Sequence, residues 1–361
     1  MTSNGSSDST ASGPATHRAV IIEAAGDLAR VRDDVPLPPL RDDEFLVRTE
    51  AVAVNPSDTK MRGNFVTDGG ILGTDYAGTV VARGRLVTDV AIGDRVCGAQ
   101  HAMNANEPLR GSFGEYNISA GRIWLKLPPS ISTASGATFG AGISTAGIAL
   151  KLLGLPLPDA PVEKPAYVLV YGGSTATATI AMQLLRLINM IPIATCSPKN
   201  AEQVKAYGAE ETFDYKQPDC AAKIKAYTKN NLRFALDCIT NVQTTTFCYA
   251  ALGRAGGRYV SLDPFADHVA ATRPTVKTGW VLGPSIFGDG STWPAPYGRP
   301  PSDELRAYGE KLWTLAEGLV ADGKLRPHPV KTLEGGLERV PEGMDMVKNG
   351  QFAGEKCVVL L

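Results

Sequence analysis

The sequence has few of the residues that a metal centre, a disulfide scaffold or a redox dithiol requires. It contains 6 cysteines and 4 histidines among 361 residues, and no two cysteines form a C-x-x-C pair. In a chain of this length, scattered cysteines argue against a disulfide framework, a zinc ribbon and a dithiol redox centre. We therefore expect reduced, buried thiols.

An excess of charge of one sign is also missing. Lys and Arg number 36, Asp and Glu number 37, and the formal net charge is −1. This balance gives no support to a polyanion-binding surface, so neither nucleic acid nor an acidic membrane is expected as a partner. No apolar run approaches the roughly 18–20 residues that span a bilayer, so no membrane segment is predicted.

The N-terminus lacks both an apolar stretch and arginine. Residues 1–16 are instead rich in Ser, Thr and Gly. A secretory signal needs an apolar core and a mitochondrial transit peptide needs arginine, so neither is predicted. We expect residues 1–16 to be a disordered tail and the protein to be cytoplasmic.

The sequence pattern changes near residue 165. Residues 18–127 contain short apolar or alternating runs separated by Gly, Pro and Asp, which is typical of a β-rich domain. Residues 165–262 alternate apolar runs with helical spacings, which predicts a parallel, doubly wound sheet. Residues 355–361 read as a strand with no obvious place in that sheet, so we expect it to return to the β-rich half.

A glycine turn opens the second half. Residues 172–178 read GGSTATA and connect an apolar run to a helical pattern. Phosphates need close backbone approach and a helix N-terminus, which Gly172 and Gly173 permit and to which nearby hydroxyls add donors. The match to G-x-G-x-x-G is imperfect, and such a turn is often purely structural. The surrounding alternation of strands and helices favours a dinucleotide site.

The segment after the next predicted strand bears on which dinucleotide binds. An NAD site usually places an acid about 20 residues beyond the glycine turn, whereas residues 195–200 read TCSPKN. The hydroxyl of Ser197 and the cation of Lys199 suit a 2′-phosphate, and Tyr215 could add a contact. We predict NADPH; the alternative is that Lys199 is only a solvated residue of a first helical turn.

Zinc dehydrogenases that combine a β-rich half with a dinucleotide-binding half hold their metal at positions that carry other residues in this chain. Ser57 stands where a cysteine would be needed, and Thr74-Asp75 stands where His-Glu would be. We therefore expect no metal site. Without a Lewis acid, oxidation of an alcohol is difficult, whereas reduction of an activated double bond is feasible because the substrate carbonyl delocalises the charge.

Long segments of the chain resemble the medium-chain dehydrogenase/reductase superfamily, and specifically the trans-acting enoyl reductases of fungal polyketide synthases. The resemblance covers residues 45–361. Its segments are AVAVNPSDTKMRG (51–63), LGTDYAGTVV (72–81), AGISTAG (141–147), KLLGLPLP (151–158), YVLVYGGSTATAT (167–179), YTKNNLR (227–233), LDCITNV (236–242) and GSTWPAPYGRP (290–300).

This resemblance implies an α/β fold with two parts. A GroES-like, β-rich catalytic domain would comprise residues 17–164 and be completed by 296–361. A doubly wound parallel Rossmann domain that binds NADPH would comprise residues 165–295.

The resemblance also implies residue roles. Candidate cofactor-binding residues are Ser57, Asp58, Thr59, Lys60, Ser174, Thr175, Ala176, Thr177, Ser197, Pro198, Lys199, Asn200, Tyr215, Leu262, Asp263, Cys357 and Val358. Candidate acyl-pocket residues are Phe139, Gly140, Ala141, Gly142, Ile143, Ser144, Thr145, Ala146, Gly283, Pro284, Ser285, Ile286 and Phe287.

The implied reaction is conjugate reduction of an α,β-unsaturated thioester. Hydride would reach Cβ, and the charge that develops on the thioester oxygen would need a donor. Lys60 is the candidate for an electrostatic or proton-relaying catalytic group, and Thr145 is a second donor. The alternatives are a surface lysine and a packing hydroxyl at a helix start.

The expected partner is a polyketide synthase, or a hybrid synthase with peptide-forming modules, whose acyl carrier presents the substrate. The resemblance favours a monomer. Two other functions remain open from the residues: a quinone oxidoreductase acting on small free enones, and a non-catalytic NADPH-binding scaffold.

Overall fold

A computed structural model of the protein describes residues 13–361. Residues 1–12 of the predicted tail lie outside the described residues, and Thr16 begins the first strand. The β-rich part contains β1 (Thr16–Ile22), β2 (Arg30–Pro36), β3 (Phe45–Ala53), β4 (Gly70–Ile71), β5 (Asp75–Arg83), β6 (Arg95–Ala99), β7 (Tyr116–Ile118) and β8 (Trp124–Lys126).

Strands β3 and β5 form the centre of this part. They pair antiparallel with a register shift between Thr49 and Ala51. Opposite that shift, a side chain at Gly78 would come within 2.0 Å of the Arg48 carbonyl oxygen, so this position requires glycine. Along β5 the residues after Gly78 alternate between buried and half-buried, which is the pattern of a sheet with one face on the core.

Two helices follow, α1 (Thr133–Gly136) and α2 (Phe139–Leu153). Helix α2 ends at Gly154, whose φ of 69° is the left-handed conformation common after a helix C-terminus. The segment Thr133–Leu153 is long and apolar enough to cross a membrane by composition, which the sequence analysis did not anticipate. However, 78% of its most apolar window is buried inside the protein, so α2 is a core helix of this fold.

The second half has the predicted parallel, doubly wound sheet. Its elements are β9 (Tyr167–Tyr171), α3 (Ala176–Leu187), β10 (Ile191–Thr195), α4 (Ala201–Ala206), β11 (Glu211–Phe213), α5 (Cys220–Tyr227), β12 (Phe234–Asp237), α6 (Val242–Ala251), β13 (Gly257–Ser261), α7 (Asp267–Ala270) and β14 (Val276–Trp280). The strand order is β11-β10-β9-β12-β13-β14, and all pairs are parallel. The predicted fold class is therefore confirmed.

Strand β14 was missed by the sequence analysis. It lies at the edge of the sheet and reads VKTGW, with one buried residue, two exposed residues and two half-buried residues. An edge strand of this composition has neither an apolar run nor a clean alternation, so its pattern does not predict a strand.

The chain then returns to the β-rich half. The remaining elements are α8 (Asp303–Ala321), β15 (Val330–Leu333), α9 (Val340–Lys348) and β16 (Lys356–Leu360). Strand β16 pairs antiparallel with β3 and parallel with β15. The resulting sheet has the order β15-β16-β3-β5-β6-β8, with β7 also paired to β3, and a separate sheet has the order β2-β1-β4.

Helix α2 is packed between the two halves. Phe139 and Ile143 belong to one apolar cluster with Val170 of β9 and Trp313 of α8. Burial of large side chains on several faces of one helix stabilises the contact between the halves and fixes the cleft between them.

Candidate functional site

The glycine turn lies at the carboxyl end of β9. Gly172 has a φ of 81°, and a side chain there would lie 2.9 Å from Ile239. A side chain at Gly173 would lie 2.8 Å from Cβ of Ala194. Both positions therefore require glycine, and the turn brings the backbone close to its neighbours on both sides.

The N-terminus of α3 is open to the same region. The hydroxyl of Thr175 accepts a hydrogen bond from the Ala178 N–H at 3.3 Å and caps the helix. Ser174, Ala176 and Thr177 are half-buried, so they keep some accessible surface. The first N–H groups of a helix have no intrahelical partner and favour an anion, so this end fits a pyrophosphate.

The turn faces the point at which the strand order reverses. The chain adds β10 and β11 on one side of β9, and β12, β13 and β14 on the other. Ligands of open α/β sheets bind in the crevice at such a reversal, outside the carboxyl ends of the strands. The glycine turn after β9 and the loop after β12 form its two walls.

Asp237 orders the loop after β12. One carboxylate oxygen accepts hydrogen bonds from the backbone N–H groups of Ile239 and Thr240, each at 3.0 Å. The other accepts from the hydroxyls of Thr244 at 2.6 Å and Tyr259 at 2.9 Å. Because both carboxylate oxygens accept hydrogen bonds from within the protein, Asp237 stabilises the wall of the crevice and does not face a ligand.

Ile239 is a wall residue that the sequence reasoning missed. It is 48% exposed although apolar, and it lies against Gly172 at the crevice. An exposed apolar side chain directly after the carboxyl end of a buried strand was the available signal.

The residues predicted for the 2′-phosphate lie beyond β10. Ser197 is half-buried, Pro198 and Lys199 are exposed, and Asn200 is buried. Tyr215 is 41% exposed, and its ring lies 6.1 Å from that of Tyr171. The structure thus presents the Lys199 ammonium and the Tyr215 ring at the carboxyl edge of the sheet, whereas the Asn200 side chain is turned inward.

The predicted segment 57–60 divides between surface and core. Ser57 and Lys60 are exposed, and the hydroxyl of Thr59 donates to the Pro56 carbonyl at 2.8 Å. The Asp58 side chain is buried and accepts a hydrogen bond from the Asn55 N–H at 2.7 Å. Burial raises the pKa of Asp58 to about 7.

Lys60 meets Asp263 across the cleft. The Lys60 Nζ atom lies 2.6 Å from Asp263 Oδ2, and the hydroxyl of Tyr297 donates to Asp263 Oδ1 at 2.6 Å. Lys60 follows β3 in the β-rich half, and Asp263 follows β13, beside Leu262, in the Rossmann half. The contact therefore joins the two halves at the carboxyl edge of the parallel sheet.

The predicted acyl-pocket residues of α2 are mostly core residues. Among residues 139–146 only Ala141 and Thr145 are half-buried, and the others are buried. Ala141 and Thr145 are four residues apart and share one helix face. The buried Ser144 instead accepts a hydrogen bond from the Trp313 indole at 3.2 Å.

Thr145 and Gly283 are neighbours. A side-chain carbon at Gly283 would lie 3.8 Å from the Thr145 hydroxyl oxygen. Gly283, Pro284 and Ser285 keep accessible surface, whereas Ile286 and Phe287 are buried and line a cavity of about 270 Å³. The structure thus brings Thr145 to the accessible start of the second predicted pocket segment.

Cys357 and Val358 lie in the interior. Both side chains have no exposed surface, and the Cys357 carbonyl accepts a hydrogen bond from the Val54 N–H at 2.9 Å. Burial raises the pKa of the Cys357 thiol to about 11. Their place is in β16, beside β3.

A buried ion pair was also missed by the sequence reasoning. The Lys356 ammonium bonds the Asp75 carboxylate, which also accepts from the Asn55 side-chain amide at 3.0 Å and from the Ala141 N–H. Asp75 stood out in the sequence at the position of a zinc ligand, but no pattern linked it to Lys356, 281 residues away.

The residues near Asp75 do not fit a zinc ion. Within residues 13–361, no group of three or more His, Cys, Asp and Glu side chains is arranged to hold a metal. The Asp75 carboxylate is already occupied by a cation and two N–H donors. A zinc ion at this position would lack the thiolate and imidazole ligands that it needs.

Two family profiles match the chain. The alcohol dehydrogenase GroES-like domain matches residues 41–129, and the family described as zinc-binding dehydrogenase matches residues 176–294. Among solved structures, the CurK enoyl reductase has a TM-score of 0.76 at 17% identity, over 96% of this chain and 99% of that one. This likeness extends the fold to nearly the whole chain.

Curated relatives are much closer in sequence. The enoyl reductase component lovC of lovastatin nonaketide synthase from Aspergillus terreus is 58% identical, over 93% of this chain and 94% of its own length. The trans-enoyl reductase buaC from Petromyces alliaceus is 44% identical, over 96% and 97%. The fold is that of NAD(P)-dependent oxidoreductases. The chain belongs to the trans-enoyl reductase family, within the medium-chain dehydrogenase/reductase superfamily.

Proposed function

We propose that the protein is a trans-acting enoyl reductase of fungal secondary metabolism. It uses NADPH to reduce the α,β-double bond of a polyketide chain carried as a thioester on an acyl carrier domain. The carrier belongs to a polyketide synthase or to a hybrid synthase with peptide-forming modules. The observation that carries this proposal is the identity of 58% with lovC over almost the whole of both chains.

Residues from both halves of the chain would bind the cofactor. The helix N-terminus at residues 174–177 would hold the pyrophosphate, and the half-buried Ser197 and the exposed Lys199 would hold the 2′-phosphate. Leu262 and Asp263 would border the nicotinamide, and Ser57 to Lys60 would close the cleft from the β-rich half. A bound dihydronicotinamide supplies hydride.

Two side chains would stabilise the negative charge that develops during hydride transfer. Negative charge appears on the thioester oxygen as Cβ accepts hydride, and a donor placed there lowers the barrier. The Lys60 ammonium is at the cleft, held by Asp263 at 2.6 Å, and acts as an electrostatic or proton-relaying group. The Thr145 hydroxyl is the second donor, since it is half-buried beside Gly283.

The acyl chain would lie along the face of α2 that carries Ala141 and Thr145, and then along residues 283–287. Ala141, Thr145 and Gly283 keep accessible surface, whereas Ile286 and Phe287 are buried. Small residues at the first positions leave room for the enoyl group. The buried residues among 139–146 and 283–287 would support this wall from the protein interior.

The same proposal covers domain bounds, location and assembly. Residues 17–164, completed by 296–361, form the catalytic domain, and residues 165–295 form the NADPH domain; the pairing of β16 with β3 supports the former. The protein acts in the cytoplasm as a monomer that meets its synthase transiently.

The test compares two substrates under matched conditions. We expect NADPH oxidation with an enoyl pantetheine thioester to have a kcat/KM at least about 100-fold above that with the corresponding free enone. Faster turnover of the free enone would instead identify a quinone oxidoreductase. Cofactor binding without oxidation by any enoyl thioester would identify a scaffold.

A further inference from the structure

We propose that Asp263 is a positioning residue that fixes the ammonium group of Lys60 at the cleft, and that Tyr297 fixes Asp263 in turn. The inference rests on the proposed function, because it concerns how Lys60 acts during the reduction. The three side chains come from the turn after β3, the segment that follows β13 and the loop before α8.

Both oxygens of the Asp263 carboxylate are engaged. Oδ2 lies 2.6 Å from Lys60 Nζ, and Oδ1 accepts the Tyr297 hydroxyl proton at 2.6 Å. A carboxylate held at both oxygens cannot rotate freely, so its direction toward Lys60 is set by Tyr297. Burial and the neighbouring carboxylate raise the pKa of Tyr297, which keeps this hydroxyl a donor.

Tyr297 is itself held by aromatic neighbours. Its ring lies 5.1 Å from the ring of Phe65 and 5.2 Å from that of Trp280, both edge to face. Trp280 is covered on one face by the Arg299 guanidinium at 4.5 Å. Phe65 belongs to the β-rich half, and Trp280 is the last residue of β14. The ring of Tyr297 is therefore held from both sides of the cleft.

Lys60 needs such an anchor. Its side chain is 60% exposed, whereas that of Asp263 is 26% exposed. An exposed lysine retains up to about 2 kcal/mol of rotamer entropy, so without a partner its ammonium would sample many positions. Misplacing a catalytic group by about 1 Å can reduce a rate by about 100-fold.

The arrangement contributes little to stability. Ion pairs between exposed side chains add about 0–1 kcal/mol to folding, because water screens them. The effect of Asp263 is therefore expected in the reaction rate, where the position of Lys60 matters.

The test is a double-mutant cycle on the single-turnover rate of reduction of a crotonyl pantetheine thioester by NADPH. The variants are D263N, K60A, the double variant D263N/K60A, and Y297F. The Lys311–Asp159 pair, at 2.7 Å and with side chains 56% and 35% exposed, provides a matched control in D159N.

We expect D263N to lower the rate about tenfold at saturating NADPH, because the Lys60 ammonium loses its fixed position. We expect D263N/K60A to be no slower than K60A, because Asp263 acts through Lys60. Y297F should lower the rate by a smaller factor, D263E should restore part of the rate lost in D263N, and D159N should match the wild type.

Three results would overturn the inference. They are a D263N rate equal to that of the wild type, a D263N loss that persists in the K60A background, and a K60A variant as fast as the wild type. In each case a wild type that reduces the thioester leaves the proposed function standing. A wild type that leaves the thioester unreduced would overturn both.

Discussion

Lys356, in the last strand of the chain, bonds Asp75 at the start of β5, and the two side chains are only 5% and 0% exposed. The Ala141 N–H donates to the other oxygen of the same carboxylate. One buried ion pair thus connects the C-terminal strand, the central sheet and the first turn of α2, the helix that carries Thr145. The proposed acyl wall depends on this contact for its position.

Replacing Lys356 by Met should destabilise the protein strongly. The change keeps the length of the side chain but leaves the Asp75 carboxylate buried without a cation, which typically costs about 3–5 kcal/mol. The measurement is the free energy of unfolding from urea titration at pH 7. The double variant K356M/D75N should lose less than the sum of the single losses, and a K356M loss below about 1 kcal/mol would contradict this account.

Asp58 should make stability fall as the pH rises. Its pKa is about 7 in the folded protein and near 3.8 when unfolded, so between these values the folded state binds more protons. The free energy of unfolding therefore decreases through this range, by about 1.4 kcal/mol for each pKa unit of difference.

The variant D58N isolates that effect. Relative to the wild type, D58N should gain stability as the pH rises from 4 to 7, and the difference should level off above that range. Thermal unfolding of both proteins at several pH values provides the measurement. His328 titrates with the opposite sign, since burial lowers its pKa to about 3, but it is present in both proteins and cancels. A pH-independent difference would refute the burial of an ionisable Asp58.

Gly140 should not tolerate a side chain. A methyl group there would lie 2.2 Å from Asp75 Oδ1 and 2.7 Å from the Gly98 carbonyl oxygen. We expect G140A to lower the free energy of unfolding by about 1–3 kcal/mol, because a buried carboxylate and a backbone must both shift. G318A is the matched control: apart from its chain neighbours and the backbone of its own helix, no atom lies within 4 Å of the new methyl group, so the change should stabilise α8 slightly. Equal effects of the two changes would argue against the described packing of α2.

Much of the fold was predictable because its elements carry local signals. The parallel sheet shows buried apolar runs such as β9, alternating with helices, and the glycine turn marks its first loop. Strand β14 was not predicted, and for helix α2 only a helix start at Thr145 was considered, whereas Thr145 lies in the middle of that helix. The former is an edge strand with exposed residues, and the latter mixes Gly and Ala with Phe, Ile and Leu and has almost no polar face.

The site was less predictable, because its contacts join residues that are distant in sequence. No local pattern shows that Lys60 meets Asp263, 203 residues away, or that Lys356 meets Asp75. Sequence likewise does not show which residues of a matched segment face inward. Asp58, Asn200 and Ser144 share segments with exposed residues, yet their side chains are buried.

Lys199 should discriminate between phosphorylated and non-phosphorylated cofactor. Replacing it by Ala removes a cation expected at the 2′-phosphate, and a charge-assisted hydrogen bond contributes about 1.5–3 kcal/mol. The dissociation constant of NADPH should therefore rise by about tenfold or more, while that of NADH changes little. K164A provides the control, since Lys164 is exposed and precedes the opposite end of β9. A parallel weakening of both cofactors would contradict the assignment.

The most direct test of conjugate reduction is isotopic. The protein is incubated with reduced NADP carrying deuterium at both C4 positions and an enoyl thioester on an isolated acyl carrier domain. Mass spectrometry and NMR then locate the label in the product. The account predicts a saturated thioester with one deuterium at Cβ and a solvent proton at Cα; a product without deuterium at Cβ, or an unchanged enoyl thioester, would contradict it.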